Sequence, residues 1–263
     1  MTVSRRLYLL GRIPSHFSSE FHAKLARMCY NIESVLFFHQ EVIMAFIYQG
    51  SLAVVADSIN QAFFFKQPIS AQQKVKAALW IAGQQMLNGS HTGFSPPPED
   101  EPEEVRLFTG EKLATQFAAI EITGVEACRA MMLLAPADPK VKAALTQANQ
   151  GLGHACFANT CTAGECAHAA VAYWRYLAVG GMRDSEWRLE KYLQILTAER
   201  DGKGRWKGFP FYYTLLALSE IDLPEAKEEL RYARPACERV LKRAQPDDKY
   251  GQRRREVLQR ALS

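Results

Sequence analysis

Between His154 and His168 the chain reads HACFANTCTAGECAH, which brings three cysteines, two histidines and Glu165 into one short segment. Thiolate and imidazole are the donors zinc prefers, so His154, Cys156, Cys161, Cys166 and His168 are the candidate metal ligands. Their Cys-x4-Cys-x4-Cys spacing lacks the close Cys-x2-Cys pair of structural zinc sites. If a helix begins near Thr162, Cys166 faces away from Cys161. The spacing therefore favours cysteines that act as small buried apolar residues at helix contacts. No cofactor is predicted, and zinc is the metal these donors would suit.

Glu165 and His168 lie one turn apart on the same helical face, which makes them the candidate catalytic acid–base groups. Glu-x-x-His is also an element of ferritin-like di-iron proteins, with Glu121 and Glu41 as further carboxylates. That chemistry needs two such motifs, and the sequence holds one. Glu121 and Glu220 stand in apolar surroundings near expected helix ends, where a glutamate either titrates unusually or hydrogen-bonds the turn. Trp174, Trp206, Phe211 and Tyr212 belong to a dense aromatic stretch. They are candidate lining for a hydrophobic ligand, against the plainer expectation that they form core. No glycine-rich phosphate loop and no nucleophile elbow occurs.

Helices must position these groups. Ser70 with Gln73 forms a capping box, and the spacing predicts a helix whose face carries Val75, Leu79, Ala82 and Met86. Asp138-Pro139 opens a helix bearing Val141, Leu145 and Ala148, and Asp222 with Pro224 opens another. Leu189, Tyr192, Leu193 and Leu196 recur at helical spacing. No alternating strand pattern is bounded by turn residues, so the fold class is all-α, with about nine to eleven helices. The proline-rich, acidic run Phe94 to Glu104 is a loop or extended strap.

The segment Thr115 to Val141 aligns on Thr214 to Val240, pairing Thr115 with Thr214, Glu121 with Glu220, Ile122 with Ile221 and Pro136 with Pro235. Upstream, Gly93-Phe94 pairs with Gly208-Phe209 at a larger offset. We read a duplication, with copies at about 50–144 and 164–243 and an insertion at about 94–109 of the first. An N-terminal helical extension, 1–49, precedes one cooperative repeat domain, 50–263. Duplicated helical hairpins stack their apolar stripes into a closed toroid or an open solenoid.

The runs CTAGECAHAAVAYWRYL, WRLEKYLQILTAERDGKGRW and GFPFYYTLLALSEID resemble repeats of the prenyltransferase and squalene-cyclase superfamily. Asp201-Gly202 and Trp206 fill its D-G-x-W type turn, with three residues between glycine and tryptophan instead of one. The resemblance covers about a quarter of the chain and implies an α/α toroid or partial toroid. The aspartate-rich motifs of the cyclases and terpene synthases are absent, so it implies no catalytic residue. LLALSEIDLPEAKEEL also resembles a HEAT-type repeat, which implies a protein-interaction scaffold. Three functions follow as expectations: a prenyltransferase-like repeat protein binding a hydrophobic small molecule or a protein partner, a HEAT-like scaffold, or an enzyme with a central-cavity site near Glu165 and His168.

A net charge of +4 without a broad basic face argues against a nucleic-acid partner. No apolar run reaches the ~20 residues of a membrane span. The start of the chain lacks a signal-peptide core. A cytoplasmic location is expected, with the cysteines reduced. Apolar surface between Phe37 and Phe65 would support a homodimer.

Overall fold

Side-chain caps set most of the helix starts. A computed structural model of the chain describes residues 51–86, 89–94, 105–135, 137–243 and 247–263. The extension at 1–49, Glu41, the first half of the apolar stretch (37–50) and the prolines of the strap lie outside the described residues. The described helices are α1 Leu52–Phe64, α2 Ala71–Ala82, α3 Gln116–Leu134, α4 Pro139–Leu152, α5 Cys166–Ala178, α6 Ser185–Ala198, α7 Phe211–Glu220, α8 Pro224–Leu241 and α9 Lys249–Leu262. A 3-10 turn, Cys156–Asn159, precedes α5. No β-strand forms among the described residues, where only isolated bridges such as Arg200 with Trp206 pin the loops.

The capping box is formed as read: Ser70 accepts from the Gln73 amide, and Gln73 returns the bond to the Ser70 amide. Asp138 accepts from Lys140 and Val141, with Pro139 at the first helical position of α4. Asp222 departs from expectation. Leu223 is the N-cap of α8 without a side-chain bond, and the exposed Asp222 pairs with Lys227 instead. The buried face of α2 also differs, because Ala77, Ala78 and Ile81 pack inward while Val75 and Met86 are exposed. Alanines permit the close approach of α2 to α3, and this outweighs the bulkier residues one face over.

The odd-numbered helices pack in succession, α1 on α3, α3 on α5, α5 on α7 and α7 on α9. Among the others, α2 packs on α4 and α6 on α8. Helix α9 is tied back to α1: both Nη atoms of Arg253 donate to the Asp57 carboxylate at 2.8 Å, and Arg260 donates to the Phe64 carbonyl at 2.5 Å. Helices α3 and α5 are buried on nearly every face. A helix without a polar face carries little periodic signal, as expected for the middle of a core.

The aligned segments fold unlike one another. Thr115 caps α3, whereas Thr214 lies inside α7. One continuous helix, α3, stands where the second segment has α7, a break and the start of α8. Pro224 supplies the reason, since it lacks an N–H and disfavours helical backbone at Leu223, whereas Gly124-Val125 lets α3 continue.

Candidate metal centre

The cysteine turn is built from the end of α4 to the start of α5. Thr160 ends the 3-10 turn in the left-handed region, φ 73°, and reverses the chain. The Cys161 amide then donates to the Cys156 carbonyl at 3.1 Å, and the Cys166 amide to Ala163 at 3.1 Å. Tyr192 of α6 anchors the turn from below, donating to the Phe157 carbonyl at 2.6 Å and accepting from the Thr160 amide at 3.3 Å. The Glu165 carboxylate ties it to the start of α3, accepting from the Ala114 amide at 2.5 Å and from the Thr115 hydroxyl.

This reversal brings the Sγ atoms of Cys156, Cys161 and Cys166 within 4.8 Å of one another. The Cys156–Cys166 pair is 3.5 Å apart. Cys156 is exposed and the other two are half-buried, whereas Cys128 and Cys237 are buried. Burial at helix contacts therefore describes Cys128 and Cys237 and does not describe the triad. The expected helix start near Thr162 is corrected as well: α5 begins at Cys166, so Cys161 lies in a loop free to fold back on it.

The thiols differ from one another. The Ala163 amide, with help from the Cys166 and Cys156 thiols, holds Cys161 below the ordinary thiol range. Burial, with the two neighbouring cysteines, pushes Cys166 up to about 12. Three thiolates drawn onto one zinc ion at about 2.3 Å would sit about 3.8 Å apart, so a mononuclear soft ion needs small adjustments of the side chains. The exposed side of the cluster would leave a fourth position open.

The other sequence candidates lie elsewhere. His154 is exposed, and neither it nor His168 joins the sulfur cluster. Burial holds His168 below the usual imidazole range against the pull of Glu165 and Glu111, and its Nδ1 is buried without a partner. Partial burial would raise Glu165, but the Thr115 hydroxyl and the Ala114 amide outweigh it and hold the carboxyl low. Trp174, Trp206 and Phe211 are buried. Trp174 packs on Tyr192 and Phe209, and Trp206 packs on Phe211 and Tyr232 while donating to Glu229 at 2.7 Å. Tyr212 is half-buried beneath the Arg254 guanidinium. Asp201 does close the turn before Trp206, accepting from the Lys203 and Arg205 amides.

Sequence reading missed the charged centre of the fold. Arg175 of α5 donates to Glu126 and Glu220, Arg129 donates to Glu220 and Asn60, and Tyr213 donates to Glu126. An adjoining cavity of about 50 Å³, edged by Asp57, Asn60, Glu126 and Tyr213, has room for water and none for an isoprenoid. Glu220 ends α7 as expected, but Glu121 lies inside α3 and accepts from the His91 amide at 3.3 Å and the ring Nδ1 at 3.0 Å. The polar residues in the middle of α3 and α5 were the available signal: Arg129 and Arg175 interrupt otherwise small or apolar runs. No protein-family model, curated protein or solved structure matches the chain.

Proposed function

We propose that this protein is a helical-repeat scaffold whose working part is a three-cysteine centre for one soft metal ion. The observation that carries the reading is the convergence of the Cys156, Cys161 and Cys166 sulfurs within 4.8 Å, on a turn fastened to α3 and α6. All-sulfur donor sets favour thiophilic ions such as zinc or copper(I) over magnesium or calcium. With a fourth position facing solvent, the ion can accept an external ligand, a hydroxide or a partner's side chain. The succession of odd-numbered helices supports the repeat scaffold, in the toroidal or HEAT-like form that the resemblances imply. Trp174, Trp206 and Phe211 are committed to packing, which favours the cysteine turn over a hydrophobic-ligand site. Reduced thiols at this centre fit a reducing compartment such as the cytoplasm. Among the described residues no helix is long and apolar enough to cross a membrane.

Native mass spectrometry of protein purified without air, with elemental analysis of the same sample, tests this. One zinc or copper per chain, absent from Cys161→Ser, supports the centre. Metal-free protein that takes up neither ion when supplied opposes it.

A further inference from the structure

The sulfur pair has a second chemistry that requires no metal. We propose that Cys156 and Cys166 form a dithiol that reduces hydroperoxides, closing a Cys156–Cys166 disulfide and discharging the metal ion. The discharge rests on the metal-centre reading above, whereas the dithiol step does not.

Geometry supports the step. The two sulfurs are 3.5 Å apart, and a disulfide bond is about 2.05 Å, so closure needs a movement of about 1.5 Å. Cys156 opens the 3-10 turn and Cys166 opens α5, so the pair bridges two elements across a bend. That bend contains Thr160 at φ 73° and Gly164 at φ 54°, and the space around Gly164 is open. Cys156 is exposed to an incoming oxidant, and the half-buried Cys166 sits behind it. The order of attack follows from that placement.

The Cys156 sulfur, as thiolate, attacks the terminal oxygen of the hydroperoxide. A sulfur–oxygen bond forms, the oxygen–oxygen bond breaks, and the alkoxide leaves and takes up a proton as the alcohol. Cys156 is then a sulfenic acid, oxidised by two electrons. The Cys166 thiol attacks that sulfur and gives its proton to the departing hydroxide, so a sulfur–sulfur bond forms, the sulfur–oxygen bond breaks and water leaves. One hydroperoxide and two thiols give one alcohol, one water and one disulfide. A disulfide sulfur is not a thiolate, so two of the three metal donors are lost, and Cys161 remains a thiol.

The test uses hydrogen peroxide on the full chain, first metal-free and then loaded with zinc, followed by thiol alkylation and peptide mass mapping. With the chain alkylated in denaturant, two of the six cysteines should escape alkylation, joined as Cys156–Cys166. Cys166→Ser should lose the cross-link and leave a sulfenic acid on Cys156 that dimedone traps, and Cys156→Ser should lose both. Zinc should be released as the cross-link forms. A cross-link that includes Cys161, or oxidation of all three cysteines without a cross-link, overturns the assigned pair. Failure of the metal reading is separable: the cross-link then forms in a protein that never binds zinc. A protein that binds zinc yet forms no cross-link overturns the dithiol.

Discussion

Arg175 and Glu220 meet fork to fork, with Nε and Nη2 of the guanidinium donating to the two carboxylate oxygens at 2.8 and 3.0 Å. The third guanidinium nitrogen, Nη1, reaches Glu126, and Arg129 approaches Glu220 from α3. Three helices that are distant in sequence are thereby held in one register, and a bidentate pair fixes angle as well as distance.

Removing Arg175 leaves Glu126 and Glu220 short of a cation in a largely dry centre. Arg175→Met should cost about 3–5 kcal/mol, the range for breaking a buried pair by deleting one partner. Urea unfolding followed by circular dichroism measures it. A loss near that of an exposed pair, below about 1 kcal/mol, would mean that the centre is solvated.

Acid should act through the same pair. Burial would raise the Glu220 carboxyl, but Arg129 and Arg175 outweigh burial and hold it below the ordinary glutamate range. The folded-state value therefore lies below the unfolded value of about 4.3. The contribution is fully present above about pH 4.3 and is lost as pH falls through the folded value. Denaturant unfolding in a pH series should show Glu220→Gln with a flatter acid limb than the native chain. Parallel limbs would show that Glu220 is not linked to folding.

The Ser70 and Asp138 caps were legible in the sequence because a capping box or an Asp-Pro start involves residues three or fewer apart, whereas the expected Asp222 cap gave way to Leu223. The charged centre was not, since Arg129 and Glu220 lie 91 positions apart and only the fold joins them. The cysteine cluster fell between these cases. Its donors were visible, but their convergence depends on a left-handed Thr160 and on α5 starting four residues later than Thr162 suggested. The aligned glutamates misled for a related reason, because Pro224 breaks one segment where Gly124 lets the other run on.

Two glycines admit the loop that presents His91. A Cβ on Gly151 would lie 1.8 Å from the His91 carbonyl oxygen, and one on Gly124 would lie 2.0 Å from the Thr92 hydroxyl. Either alanine substitution must push the loop off α3 and α4. We expect about 1–3 kcal/mol of destabilisation from each, as for overpacking. A histidine ring resonance shifted in the NMR spectrum should accompany it, since in that loop the His91 ring Nδ1 lies 3.0 Å from the Glu121 carboxylate. Unchanged stability in both variants would mean that the loop does not pack there.

Glu165 couples the cysteine turn to α3. Glu165→Ala removes the acceptor for the Ala114 amide and the Thr115 hydroxyl, a change worth about 1 kcal/mol by analogy with lost caps. Metal affinity should fall about tenfold with it, as when a supporting contact around a site is deleted. Titration with zinc against a competing chelator measures the second effect. Equal affinities would show that the turn holds its shape without the tether.

Cobalt(II) titration of the reduced chain addresses the three-sulfur centre most directly, because thiolate-to-cobalt charge transfer and tetrahedral d–d bands report the donors themselves. The native chain should saturate at one ion with thiolate charge transfer. Replacing Cys156, Cys161 or Cys166 singly with serine should weaken binding at least about tenfold, and Cys128→Ser should leave it unchanged. A spectrum without thiolate bands, or one unaffected by all three substitutions, would contradict the centre.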